Sequence, residues 1–212
     1  MDQGGKTVLI TIEGIDGSGK SSLIAFLKES LDDISPVFTR EPGSTWVGDQ
    51  VRRAIAEESD PVTEALLFVA DHAAHLETVI RPGLANGSLI ISDRYSDSRY
   101  AYQPVTLEGH IPDPLYWLRQ VHNGWTVLPD LTFLLVVPVE VAIARLSGTR
   151  QMEHFEQAGV LSKVQENYLA LAAEEPSRFV IIDAEKECDE IGTFVSDVIR
   201  QKSGSSRSRP RS

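Results

Sequence analysis

The run EGIDGSGKSS, Glu13 to Ser22, combines glycines, a lysine and serines at a spacing that can hold phosphate. Gly14, Gly17 and Gly19 let the backbone turn tightly and point amides inward, and Lys20 adds a mobile positive charge. Gly14, Gly19, Lys20 and Ser21 satisfy the spacing G-x-x-x-x-G-K-[ST], with Ile15, Asp16, Ser18 and Ser22 completing the loop. A glycine-rich turn without a ligand is the bland alternative, but this one lies between an apolar strand and a helix, where the mechanism needs it. The helix beginning near Ser21 turns free amides and its positive dipole end toward an anion. Lys20 reaches the outer phosphates, and the Ser21 hydroxyl is suited to ligate Mg²⁺. ATP or GTP is the expected ligand. Farther on, LIISDR ends a second apolar strand in Asp93, a placement at which a carboxylate holds Mg²⁺ directly or through water.

Binding a triphosphate does not name the acceptor of the phosphoryl group. Three further stretches bear on it: FTREPGST with Arg40 and Glu41, SDRYSDSRYAYQ with Arg94, and ARLSGTRQMEHFE with Arg145, Arg150 and Glu153. A guanidinium fork matches phosphate oxygens, so arginines at strand exits beside a phosphate loop suit a second anion. Each arginine alone would be an ordinary surface ion pair. Together, at one end of a parallel sheet, they favour a site for two phosphorylated ligands.

The elements that must position these residues follow from the hydrophobic pattern. TVLITI from Thr7, SLIIS from Ser88, LTFLLVV from Leu131 and RFVII from Arg178 are unbroken apolar runs, with a weaker one at PVFT. Continuous rather than alternating, they predict strands covered on both faces. Helical patterns separate them over Ser21 to Leu31, Trp46 to Ala56, Val62 to Leu84, Val139 to Leu146, Leu161 to Glu174 and Cys188 to Lys202. Strands alternating with helices predict an α/β fold with a parallel sheet between helical layers. The turn formers of QPVTLEGHIPDP, Gln103 to Pro114, predict a loop.

Composition limits the rest. The 212 residues suit one domain without disulfides, and 42% hydrophobic with 24% charged residues predicts a soluble globule. A net charge of −11 opposes broad attraction to nucleic acid or anionic lipid. Cys188 is the single cysteine, no signal-like start is evident, and the longest apolar run is too short to span a bilayer. A reducing, cytoplasmic location is expected. Residues 203–212, SGSSRSRPRS, lack any apolar side chain and are expected to form a disordered basic tail behind a single domain over 1–202.

EGIDGSGKSS, TREPGST, ALLFVADHAAHLETVIRPGL, SDRYSDSRYAYQ and PDLTFLLVVPVEVAIAR together resemble the thymidylate kinase family, and the resemblance extends to about Lys202. It implies a P-loop NTPase fold of nucleoside monophosphate kinase type, with a five-stranded parallel sheet, and phosphoryl transfer from ATP to dTMP with Mg²⁺. It implies that Lys20 and Ser21 serve ATP and the metal, with Asp93 assisting, and that Arg40 and Arg94 grip the dTMP phosphate. Phe68 matches the aromatic that stacks on thymine, and Asp16 the acid that contacts the sugar 3′-hydroxyl. Ser98, Tyr102 and Gln103 match the nucleoside pocket, with Tyr102 crowding a ribose 2′-hydroxyl. A homodimer through the long helices is also implied.

In this family a catalytic arginine comes from the phosphate loop or from a lid. Gly17 follows Asp16 here, so a lid arginine is implied; the lid segment is expected at about 147–160, and Arg145, just before it, and Arg150, within it, are the candidates. The chain departs from the family pattern twice. His72 stands where many members carry an arginine that reads thymine O4. The lid reads Arg150, Gln151, Met152, Glu153, which displaces its arginine by one position. His72 leaves room for a broader deoxynucleoside monophosphate kinase acting on dUMP as well. A nucleotide-binding regulatory protein is the reading from another class, and the lack of an Asn-Lys-x-Asp run opposes a GTPase.

Overall fold

The computed structural model describes residues 7–147 and 157–204. Among these, five strands form one parallel sheet: β1 (Val8–Glu13), β2 (Val37–Arg40), β3 (Leu89–Asp93), β4 (Leu131–Val136) and β5 (Phe179–Asp183), in the order β2-β3-β1-β4-β5. All six residues of β1 are buried, as its unbroken apolar sequence requires for a central strand with helices on both faces. β2 is the short, half-exposed edge strand.

The register sets up the site. Asp93 lies opposite both Arg40 and Ile12, so the carboxyl ends of β2, β3 and β1 stand level. The chain occupies one side of β1 with β2 and β3 and the other with β4 and β5. The topological reversal, where such sheets open a crevice, therefore falls at the end of β1.

Helices α1 (Lys20–Ser30), α2 (Trp46–Ala56), α3 (Pro61–His75), α4 (Arg81–Ala85), α5 (Ser96–Thr106), α6 (Pro114–His122), α7 (Val139–Leu146), α8 (Ala158–Glu174) and α9 (Cys188–Ser203) follow the strands. Leu23 and Leu27 of α1, Val164 and Tyr168 of α8 and Ile199 of α9 pack with Ile10, Ile12 and Phe133 in the main core. Asp60, Thr45 and Asp113 accept amide hydrogen bonds as the N-caps of α3, α2 and α6. One π-helical turn, Leu76–Ile80, carries α3 into α4, so Val62 to Leu84 runs as one continuous helical stretch.

Two sequence expectations need correction. Gln103 to Pro114 is not one loop: α5 continues to Thr106 and α6 begins at Pro114. Pro104 lies inside α5, and the Leu107 amide bonding to the Gln103 carbonyl closes the helix after it. Pro114 is the first residue of α6, where the missing proline N–H costs nothing, and Asp113 caps it. The carboxyl end also shifts. Ser203, assigned to the tail, is buried in the last turn of α9, which Gly204 ends at φ 75°. Residues 205–212 lie outside the described residues, as do 148–156 of the expected lid, including Arg150.

Candidate active site

The phosphate loop wraps the carboxyl end of β1. Gly14 has φ 141°, and a Cβ there would stand 2.5 Å from the Leu135 carbonyl oxygen. A Cβ on Gly17, at φ 79°, would collide with the Ala142 carbonyl. The spacing of the motif is thus enforced by β4 and α7 as well as by turn geometry. Gly19, left-handed at φ 100°, starts α1 and aims that helix's free amides at the loop's interior. Lys20 folds back to donate to the carbonyls of Gly14 at 2.9 Å and Ile15 at 2.8 Å. Burial, then the nearby Arg94 cation, pushes its ammonium down to about 8.

A second cationic pole stands beside it, Arg94 and Lys20 sharing the Gly14 carbonyl as an acceptor. Arg94 adopts a left-handed backbone, φ 65°, directly after β3. Its guanidinium donates to Asp16 Oδ1 at 2.5 Å, Ser98 Oγ at 3.2 Å and the Gly14 carbonyl at 3.2 Å, and lies 5.0 Å over the Tyr102 ring. Tyr102 donates its hydroxyl to Asp16 Oδ2 at 2.8 Å. Burial raises the Asp16 carboxyl, but Arg94 and then Lys20 outweigh it and hold the group below its ordinary range. Beneath this pair, Glu13 accepts from Ser98 Oγ, Tyr168 Oη and the Tyr95 amide.

Both poles open into one cavity of about 740 Å³. Asp16, Gly17, Gly19, Lys20, Ser21, Ser22, Asp93 and Arg145 line it, together with Arg40, Phe68, Arg94, Ser98, Tyr102 and Gln103. Gly14, Ile15 and Ser18 shape the loop from behind. Arg40 is exposed and forms no ion pair among the described residues. Arg145 leans from α7 onto the loop, donating to the Gly17 carbonyl at 3.4 Å and the Ala184 carbonyl at 3.2 Å.

A divalent cation fits this donor set. Asp93 Oδ1 is buried with no hydrogen-bond partner, and the exposed Ser21 hydroxyl borders the same cavity. Among the described residues no group of three or more His, Cys, Asp or Glu could hold a metal ion by itself. One carboxylate, one hydroxyl and substrate phosphates are the kind of shell Mg²⁺ takes in phosphoryl-transfer sites.

His72 does not join the cavity wall. It is fully buried behind Glu41, with Nδ1 at 2.8 Å from Glu41 Oε1 and Nε2 at 2.6 Å from Thr126 Oγ1. Burial, then the Arg99 cation, pushes the imidazole down to about 4, so a neutral ring donates from Nδ1 and accepts from the threonine hydroxyl. The expected contact with the acceptor base is therefore not available to it. His75 reaches the same Glu41 oxygen at 2.7 Å and Thr39 Oγ1 at 2.7 Å.

Glu41, which the sequence sets beside Arg40 without assigning it a role, is the hub of this cluster. Its second oxygen accepts from Arg99 Nη1 at 2.5 Å, and both residues border the cavity. Arg99 and Glu41 stand inside quoted runs, and the signal that could have found Arg99 is its position four residues before Gln103, on the same helical stripe.

A parallel sheet in this order, a phosphate loop at its switch point and two cationic poles in one cavity define a P-loop kinase acting on a second phosphorylated ligand. The thymidylate kinase family model matches residues 12–195. A probable thymidylate kinase of Methanoculleus marisnigri is 62% identical over 204 residues, covering 96% of this chain and all of the relative. Probable thymidylate kinases of Methanospirillum hungatei and Methanocorpusculum labreanum are 58% and 54% identical over 193 residues, each covering 91% of this chain and 94% and 98% of the relatives. The chain belongs to the thymidylate kinase family.

Proposed function

We propose that this chain transfers the γ-phosphoryl group of ATP to dTMP, giving dTDP. The observation that carries the reading is the pair of cationic poles, Lys20 with the α1 amino terminus and Arg40 with Arg94, facing one cavity that Phe68 also borders. ATP phosphates fit the loop, where Lys20 exchanges its carbonyl partners for phosphate oxygens. The dTMP phosphate fits between Arg40 and Arg94, its base against Phe68 and its sugar beside Asp16 and Tyr102. Mg²⁺ held by Ser21 and Asp93 supplies charge neutralisation at the phosphates when bound. The protein's own work is to align the two phosphates and exclude water. Arg145, resting on the loop, has the geometry to stabilise charge on the transferring group; Arg150 remains the other candidate.

One observation favours a wider acceptor range: with His72 buried, α3 offers no cation to the base. Phosphorylation of dUMP beside dTMP is the form it would take. A homodimer is supported by the family resemblance and by the exposed Trp46 and Leu66 on the adjoining helices α2 and α3. A reducing cytoplasm suits the exposed, free Cys188. No described helix is long and apolar enough to cross a membrane.

The test is coupled ADP release with ATP and Mg²⁺, comparing dTMP and dUMP with an acceptor-free control. Release that depends on acceptor and is fastest with dTMP is the expected result. Equal release without acceptor would sink the assignment.

A further inference from the structure

Among the described residues that border the cavity, Asp93 and Arg99 each leave a buried polar atom unpartnered, and only Arg99 is a cation. It is 2% exposed and borders the cavity, yet its Nη2 is buried with no hydrogen-bond partner. The rest of the guanidinium is committed. Nε donates to His122 Nε2 at 3.1 Å, and His122 Nδ1 donates to the Leu118 carbonyl at 2.7 Å, which leaves Nε2 as the acceptor. Nη1 donates to Glu41 at 2.5 Å, and Glu41 is itself clamped by His72 and His75. The guanidinium plane is thus locked from two sides. Leaving two buried N–H groups on a cation without acceptors is costly, and native proteins keep such a group where a water, an ion or a ligand completes the set.

Helical periodicity says where that donor stands. Arg99, Gln103 and Thr106 fall at i, i+4 and i+7 on α5, and all three border the cavity, as does Phe68 of α3. Ser98 and Tyr102 face Arg94, at the phosphate and sugar end. The Arg99 stripe is therefore the wall available to the base. In a pyrimidine nucleotide C4 lies across the ring from the glycosidic N1, so the group at the far end of the pocket meets the substituent on C4.

We propose that Arg99 reads the acceptor base, its Nη2 donating to the 4-oxo group of a pyrimidine and rejecting a 4-amino group. The inference rests on the reading of this cavity as a nucleoside monophosphate site. It assigns selectivity to α5 rather than to position 72, and makes Glu41, His72 and His75 positioning residues that hold the reading group in plane. A 4-amino group would set donor against donor, leaving both sides unpaired in a dry site.

Two comparisons test it, with ATP and Mg²⁺ saturating. The wild-type protein is assayed on dUMP and dCMP, which share sugar and phosphate, lack the 5-methyl group and differ in the ring at position 4. A preference for dUMP of roughly a hundredfold or more in kcat/KM is expected. A ratio within about threefold would overturn the proposal without any variant. Arg99→Lys keeps a charge for Glu41 but loses the planar Nη2. It should cut the dTMP-to-dCMP ratio by roughly tenfold or more, mainly through KM for the acceptor, with KM for ATP within about twofold. An unchanged ratio in a folded Arg99→Lys protein would place base reading elsewhere. Should that variant fail to fold, the wild-type pair of substrates decides alone. ADP release that ignores every acceptor would instead remove the kinase reading, and this inference with it.

Discussion

Glu13 and Glu41 are both buried carboxylates at strand exits on the same edge of the sheet, and their surroundings drive them in opposite directions. Glu13, the last residue of β1, is met by the Tyr95 amide and by the hydroxyls of Ser98 and Tyr168, and among the described residues no guanidinium bonds to it. Burial, then the nearby Asp97 charge, pushes it up to about 7. Glu41, one residue past β2, bonds a guanidinium and two imidazoles. Burial raises it as well, but Arg99 and then His72 hold it well below the ordinary carboxylate range. Removal from water sets the cost of charge equally for both, and the chemistry of the partner decides whether the charge stays.

The largest test of this contrast is Glu41→Gln. It strands the Arg99 cation in the interior, for an expected loss of about 3–5 kcal/mol. Thermal unfolding at pH 7 should show a midpoint lower by roughly 10 °C. A fall of less than about 3 °C would mean that solvent reaches the pair.

Glu13→Gln should behave differently. Folded Glu13 keeps a proton that the unfolded chain sheds between pH 4.5 and about 7. Its contribution is therefore complete below pH 4.5 and is lost as pH rises through 7. Glutamine removes that loss, so relative to wild type the variant should gain about 2 kcal/mol between pH 5 and pH 8 in denaturant titrations. The Glu41 cluster has the opposite sign. His72, at about 4 when folded against 6.5 ordinarily, sheds stability as pH falls below 6.5, which gives the wild type an acid limb that Glu13→Gln leaves in place. Offsets identical at both pH values would mean that Glu13 is ionised in the folded protein.

The smallest expected effect is Thr126→Val, which keeps shape while taking the hydroxyl from His72 Nε2. About 1 kcal/mol is expected from chemical denaturation, far below the effect of Glu41→Gln because a neutral acceptor rather than a cation is left unpaired.

How much of this was legible in sequence depended on whether a residue's role is local. The strands from Val8, Leu89, Leu131 and Phe179 stand close to where unbroken apolar runs place them, and the loop from Gly14 to Ser22 declares itself because its function is contiguous backbone. Helix α5 was missed because its inward face carries Ser98, Arg99, Tyr102 and Gln103, polar residues that erase the hydrophobic period, and Pro104 reads as a breaker. His72 misled for another reason. Its spacing on α3 points it at the sheet edge, but only the fold shows that Glu41, 31 residues earlier, stands between it and the cavity. Arg99 bonds Glu41, 58 residues away, a pairing that no local pattern encodes.

The ion pair between Asp16 and Arg94 ties the two halves of the crevice together, since one partner belongs to the phosphate loop and the other to the wall after β3. A ligand that draws Arg94 toward its own phosphate must loosen its hold on Asp16, and so change the energy of the loop that cradles the other ligand. By thermodynamic reciprocity, whatever factor ATP imposes on acceptor affinity the acceptor imposes on ATP affinity. The two binding events are thereby written into a single equilibrium, with one salt bridge as the hinge between them.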